Sequence, residues 1–188
     1  MTSISTDLLN RRLTLVLILI ASLLTVAQPA KADSHSTAAE AHIEAMIGSA
    51  KNLLATDLGD TTIRTKQVAE LLDTYFDFPG ITRFSAGQYW RAATSAEKQE
   101  YELVIRGVII GTVLRNFDQL KGLEYSHVNS TEKGSKLVLV AGRFSDIVGE
   151  RPSILVKWRV TTLPGKPAKV LDIEIENISM LITQKREN

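Results

Sequence analysis

Cysteine is absent from the 188 residues, so no disulfide, thiolate nucleophile or lipidated N-terminal cysteine enters the chemistry. Histidine occurs three times. His35 and His42 lie seven apart, which is not ligand spacing, and His127 stands alone between Tyr125 and Asn129, where a structural role is the ordinary one. There is no G-x-S-x-G, no phosphate loop and no metal-ligand cluster, so the sequence nominates no catalytic residue, metal or cofactor. An excess of charge of either sign is missing too, with 22 basic against 21 acidic side chains. A chain so near neutrality lacks the electrostatic footprint of a nucleic-acid binder.

The longest apolar run is short as well. Arg11-Arg12 precede "LTLVLILIASLLTV", residues 13–26, and "AQPAKAD" follows. A basic start, an apolar stretch of that length and Ala30-Lys31-Ala32 have the form of a secretory leader. A retained anchor would need about 20 apolar residues, so the expectation is cleavage after Ala32. The domain map is then a leader over 1–32 and a single domain over 33–188. The 156-residue remainder loses Arg11, Arg12, Lys31 and Asp7, leaving 19 basic against 20 acidic side chains. It is long enough to bury a sizeable core.

Apolar spacing divides that domain. Residues 38–58 carry Ile43, Met46, Ile47, Leu53 and Leu54 at helical intervals, and a second helix runs from Thr62 through Phe76. In "DFPG", Asp77 can cap a new turn with Pro79 in its first positions. "TSAE" predicts a capping box, with Thr94 as cap and Glu97 three residues on, opening a long helix that Gly122 closes. Beyond it the period changes to two. "LEYSHVNS", "KLVLVAGRF", "SILVKWRVTT" and "AKVLDIEIEN" predict four strands joined by turn residues, followed by a short C-terminal helix over 178–188. In the last strand, Leu171, Ile173 and Ile175 are expected inside, with Asp172, Glu174 and Glu176 outside. Helices first and a meander afterwards predict an α+β fold, a twisted antiparallel sheet wrapped by N-terminal helices.

The long helix contains "IRGVIIGTVL", where Gly107 and Gly111 each cost about 1 kcal/mol against alanine. Twelve apolar residues cannot cross a bilayer, which removes the membrane reading of G-x-x-x-G. Two readings remain open: close packing of this helix on the sheet, or volume left for an apolar ligand between them.

The stretch "FDFPGITRFSAGQYWRAATSAEKQEYELVIRGVIIGTVLRNFDQLKGLEY", residues 76–125, resembles the MlaC family of Gram-negative periplasmic phospholipid-binding proteins, also called the toluene-tolerance family. "FDF" before a short helix, "GQYW" with Arg91, "AATSAEKQEY" and the later tyrosine carry the likeness. "RPSILVKWRV" and "LDIEIENISMLITQKREN" are similar to the family's final strands and helix start. "DFPGITRFSAGQYWR" leans towards the hopanoid-associated HpnM branch. Members continue into further C-terminal helix, whereas this sequence stops at Asn188; for a native end the expectation is a cavity covered differently or less closed, and for a truncated one a loss of lipid retention.

The resemblance implies an NTF2-like cone with an apolar cavity for acyl chains. It implies a periplasmic carrier of phospholipid, or of hopanoid, between an outer-membrane lipoprotein complex and an inner-membrane MCE-type ABC transporter, maintaining outer-membrane lipid asymmetry. The residues it nominates for lipid contact are Phe84, Val104, Gly107, Val108, Gly111, Leu139, Ile154, Val156, Trp158 and Ile173, each of which could equally serve as core. On the same reading the glycines, with Ala141 and Gly142, keep the cavity open. Trp90 is expected to cover core and Arg91 to bond a helix end. Two other classes stay in view: an exported NTF2-like enzyme, which needs a carboxylate or histidine inside the pocket, and a structural envelope protein with no cavity.

Overall fold

The computed structural model describes residues 35–56 and 59–180. The leader over 1–32 and the C-terminal segment 181–188 lie outside the described residues. Helix α1 (His35–Ala55) turns Ala39, Ile43 and Met46 inwards at i, i+4 and i+7. Helix α2 (Thr61–Tyr75) begins where the Asp60 carboxylate accepts a hydrogen bond from the Thr62 amide, 2.6 Å away. Helix α3 (Phe78–Ala86) is capped by Asp77, which accepts from the Gly80 amide at 3.0 Å, with Pro79 in its first turn. A short α4 (Tyr89–Ala92) and the long α5 (Ser95–Asn116) follow, and a 3-10 turn (Phe117–Leu120) ends the helical half. The capping box at Thr94 and Glu97 forms as the sequence predicts.

The second half is one antiparallel meander with strands in sequence order: β1 (Leu123–Glu132), β2 (Leu137–Asp146), β3 (Ile154–Thr161), β4 (Lys169–Ile175) and β5 (Ile178–Ser179). The fifth strand takes the positions 178–179 where the helix was expected to begin, and 181–188 of that expected helix lie outside the described residues. The cause is a two-residue turn. Glu176 and Asn177 both take positive φ, 50° and 68°, as a type I′ hairpin requires, and this turns the chain straight back onto β4.

Helix α1 lies across one face of the sheet. Val138, Val140, Val156, Trp158, Val160 and Val170 meet Ala39, Ile43 and Met46 there in one buried cluster, with Ile173 packed beside it. Tyr125, Phe144 and Trp158 close its end, their ring centroids 5.3 to 6.0 Å apart. A second cluster joins Val68, Leu72, Phe78, Ile110 and Phe117 of the helical layer. A third joins Ile81 and Ile105, and Leu171 of β4 packs against it. Phe76 touches all three clusters, held by a parallel bridge to Val170 and by the Asp77 amide donating to the Val170 carbonyl at 2.9 Å.

The expected alternation in β4 is corrected by a bulge. The register shifts beside Arg159 and Val160, so Val160 faces Val170 while Trp158 faces Ile173. Val170 and Ile173 therefore serve the α1 cluster, and Leu171 serves the helical layer. Asp172, expected outside, is only 4% exposed. Its carboxylate accepts from the Ser179 hydroxyl at 2.5 Å and lies 3.5 Å from the Arg159 guanidinium, which also bonds Glu174. Buried charge is tolerable only with such partners.

Candidate functional site

Helix α5 rests on α2, α3 and the 3-10 turn. Ile105, Ile109, Ile110, Val113 and Leu114 point into those contacts. Arg106 fixes the rotation of the helix by gripping Asp73 of α2 with two bonds of 2.8 and 2.5 Å, and this hydrogen bonding holds the Asp73 carboxyl below its ordinary pKa. The opposite side of α5 is consequently turned outwards. Leu103 is 70% exposed, Val104 54% and Val108 46%. A Cβ built on Gly107 would meet nothing within 4 Å, and one on Gly111 only the tip of Arg115, 3.4 Å away. Both readings of these glycines placed the helix beside the sheet. What lies beside them is open space.

Val104, Gly107, Val108 and Gly111 are spaced i, i+3, i+4 and i+7, one continuous stripe. Traced back towards the helix start, the same stripe passes through Tyr101, Glu100 and Glu97. These residues form one wall of a groove of about 900 Å³. The other wall is the end of α3 with α4, contributing Ser85, Gly87, Gln88, Tyr89, Trp90, Ala92 and Ala93. The groove is polar at the Glu97 end and apolar towards Val104. Tyr101 spans it, packed against the Ile81–Ile105 cluster and donating its hydroxyl to Ser85 at 3.3 Å. The Lys98 ammonium sits 5.4 Å from the centre of the Trp90 ring. A smaller recess of about 440 Å³ opens on the other side of α3, between Asp77, Gly80, Arg83 and Phe84 and the sheet at Thr161 of β3, Leu163 of the β3–β4 connection and Leu171 of β4. Gly87, in the left-handed region at φ 55°, lines both.

The ten residues nominated from the sequence do not converge on one cavity. Val104 lines the groove and Phe84 the recess. Gly107, Val108 and Gly111 continue the stripe beyond the groove. Val156 and Trp158 are buried under α1, with Ile173 beside them, so that space is filled by protein. Leu139 falls on the opposite face of β2 from Val138 and Val140, and Ile154 is half-exposed at the start of β3. Gly142 does not hold space open either. An added Cβ there would lie 2.0 Å from the Tyr125 ring, so this glycine admits an aromatic side chain. Trp90 covers no core cluster; it lines the groove, and Arg91 is exposed beside it.

Sequence reasoning missed Tyr89, Lys98, Glu100 and Tyr101 as groove residues. The available signal was the mixed stripe at 97, 100, 101 and 104, apolar at one end and acidic at the other, directly after "GQYW". No histidine lines either opening. His42 bonds the Tyr75 carbonyl at 3.0 Å, and burial lowers its pKa. His127 lies 3.0 Å from the Ser130 hydroxyl and 3.8 Å from Glu40. Among the described residues no cluster could hold a metal ion, and no helix is long and apolar enough to cross a membrane.

Comparison with known proteins gives one family and one architecture. The family model described as MlaC protein matches residues 40–188. Among solved structures, a phospholipid-binding protein from Ralstonia solanacearum, determined in complex with a phospholipid, superimposes with a TM-score of 0.65. The two are 22% identical, over 79% of this chain and 84% of the other. No curated protein matches.

Proposed function

The chain belongs to the MlaC family, and from that premise we propose that it is a carrier of phospholipid, with the acyl chains lying in the groove between α4 and α5 and on the glycine-floored stripe beyond it. The observation that carries this reading is the uncovered apolar face of α5. Leu103, Val104 and Val108 stand in water beside two glycines that cost the helix stability, one facing open space and the other only the tip of Arg115. A soluble protein keeps such a face where something apolar is to cover it. Each methylene removed from water contributes about 0.8 kcal/mol, so a half-buried acyl chain of roughly ten methylenes gains about 4 kcal/mol without any charged anchor.

Carriage implies exchange with membranes. The leader-like start of the sequence supports export, and membership of the family supports a periplasmic route. By this reading lipid passes between an outer-membrane lipoprotein complex and an inner-membrane MCE-type ABC transporter, sustaining lipid asymmetry. The test is native mass spectrometry of the protein purified from the cell envelope without detergent, followed by lipid extraction. One phospholipid per chain is the expected result. An extracted hopanoid would reassign the ligand, and a bare chain that takes up no lipid from vesicles would refute the carrier reading.

A further inference from the structure

Among the described residues three charged side chains line the groove, and all belong to the first turns of α5: Glu97, Lys98 and Glu100. Glu97 is already committed. Its carboxylate accepts from the Thr94 amide at 2.7 Å and from the Thr94 hydroxyl at 2.8 Å, completing the cap of the helix. Lys98 is the only cation lining the groove among the described residues, and it is half-buried, with its ammonium over the Trp90 ring. Glu100 is exposed one turn on from Glu97, immediately before Tyr101 and Val104 begin the apolar floor. One cation, seated on an indole face, and two carboxylates therefore line the same end of the groove, at the junction of its wet and dry parts.

We infer that this end of the groove is a headgroup site for a zwitterionic phospholipid, with the phosphate on Lys98 and the amine on Glu100 across the groove floor. The inference rests on the carrier reading above and adds the headgroup class to it. A headgroup bearing only phosphate meets Lys98 but also the repulsion of Glu97 and Glu100. A headgroup that adds an ammonium turns the Glu100 repulsion into attraction. Phosphate lies near the glycerol backbone and amine beyond it, so both fit only where charge gives way to apolar wall. Because Glu100 is exposed and Lys98 only half-buried, the discrimination is modest, about fivefold, and weakens with salt.

The experiment loads the delipidated protein from vesicles containing equal phosphatidylethanolamine and phosphatidylglycerol of identical acyl chains, and reads the bound ratio by native mass spectrometry. About fivefold excess of phosphatidylethanolamine is expected. Glu100→Lys should move the ratio to parity or below, and Lys98→Glu should lower loading of both lipids. Circular dichroism of each variant confirms that these surface changes leave the fold in place. An even ratio for the parent that Glu100→Lys does not move, with loading intact, overturns the headgroup site and leaves the carrier reading standing. Loading of neither lipid overturns both.

Discussion

Replacing Gly107 and Gly111 by alanine separates what helix α5 needs from what a ligand needs. In an exposed helix each replacement is worth up to about 1 kcal/mol, part of it through a less flexible unfolded chain. Gly107 has nothing within 4 Å of an added Cβ, and Gly111 has only the movable end of Arg115, so neither methyl meets resistance. The double variant should therefore gain about 2 kcal/mol, raising the midpoint of thermal unfolding by about 4–8 °C for a domain of this size. The same methyls would stand where an acyl chain is proposed to lie. Crowding of that order costs about 1.4 kcal/mol, or tenfold in lipid affinity. Calorimetry of the delipidated protein and vesicle loading followed by native mass spectrometry give the two numbers. A lower melting point than the parent would refute the claim that this face is open. A higher melting point with unchanged loading would refute its role as a ligand floor.

Three further outcomes are expected. Gly142→Ala should destabilise by about 2–3 kcal/mol in urea unfolding, because the Tyr125 ring it would strike is wedged against Phe144 and Trp158 and cannot retreat. Asp172→Ala should cost roughly 2 kcal/mol by the same measure, since it removes a charge-assisted bond from Ser179 and leaves Arg159 with Glu174 alone. Burial lowers the pKa of His42 below 6.5. Above 6.5 the ring is neutral both folded and unfolded, so nothing changes there. As pH falls below 6.5 the unfolded chain takes up a proton that the folded one refuses, and stability drops until the folded pKa is reached. His42→Gln should flatten that part of the pH–stability curve.

The features legible in the sequence are those decided within a few residues. The caps at Asp77 and at Thr94 with Glu97 follow from side chains three positions apart, and the structure places them as expected. The change of period after Gly122 likewise marks the boundary between helical layer and sheet. What the sequence concealed depends on pairing across distance. Leu171 obeys strict alternation in the sequence and breaks it in the sheet, because the bulge is set by the register of β4 on β3. The positive φ of Glu176 and Asn177 was hidden because no glycine marks that turn. Gly107, Gly111 and Gly142 are the same residue type, yet two face emptiness and the third an aromatic ring. Composition carries no record of what stands opposite. For the site, the outward stripe was readable only once the grip of Arg106 on Asp73 had fixed which side of α5 faces inwards.

The bridge between Phe76 and Val170 has a kinetic consequence. Within the sheet each strand pairs with its sequence neighbour, so those hairpins close short loops. The bridge instead joins residues 94 positions apart, and closing so long a loop costs about 4 kcal/mol of chain entropy before any contact repays it. Helical layer and meander should accordingly form early and separately, and dock late through Phe76. Truncating Phe76 would then speed unfolding far more than it slows folding, the signature of a contact made after the barrier.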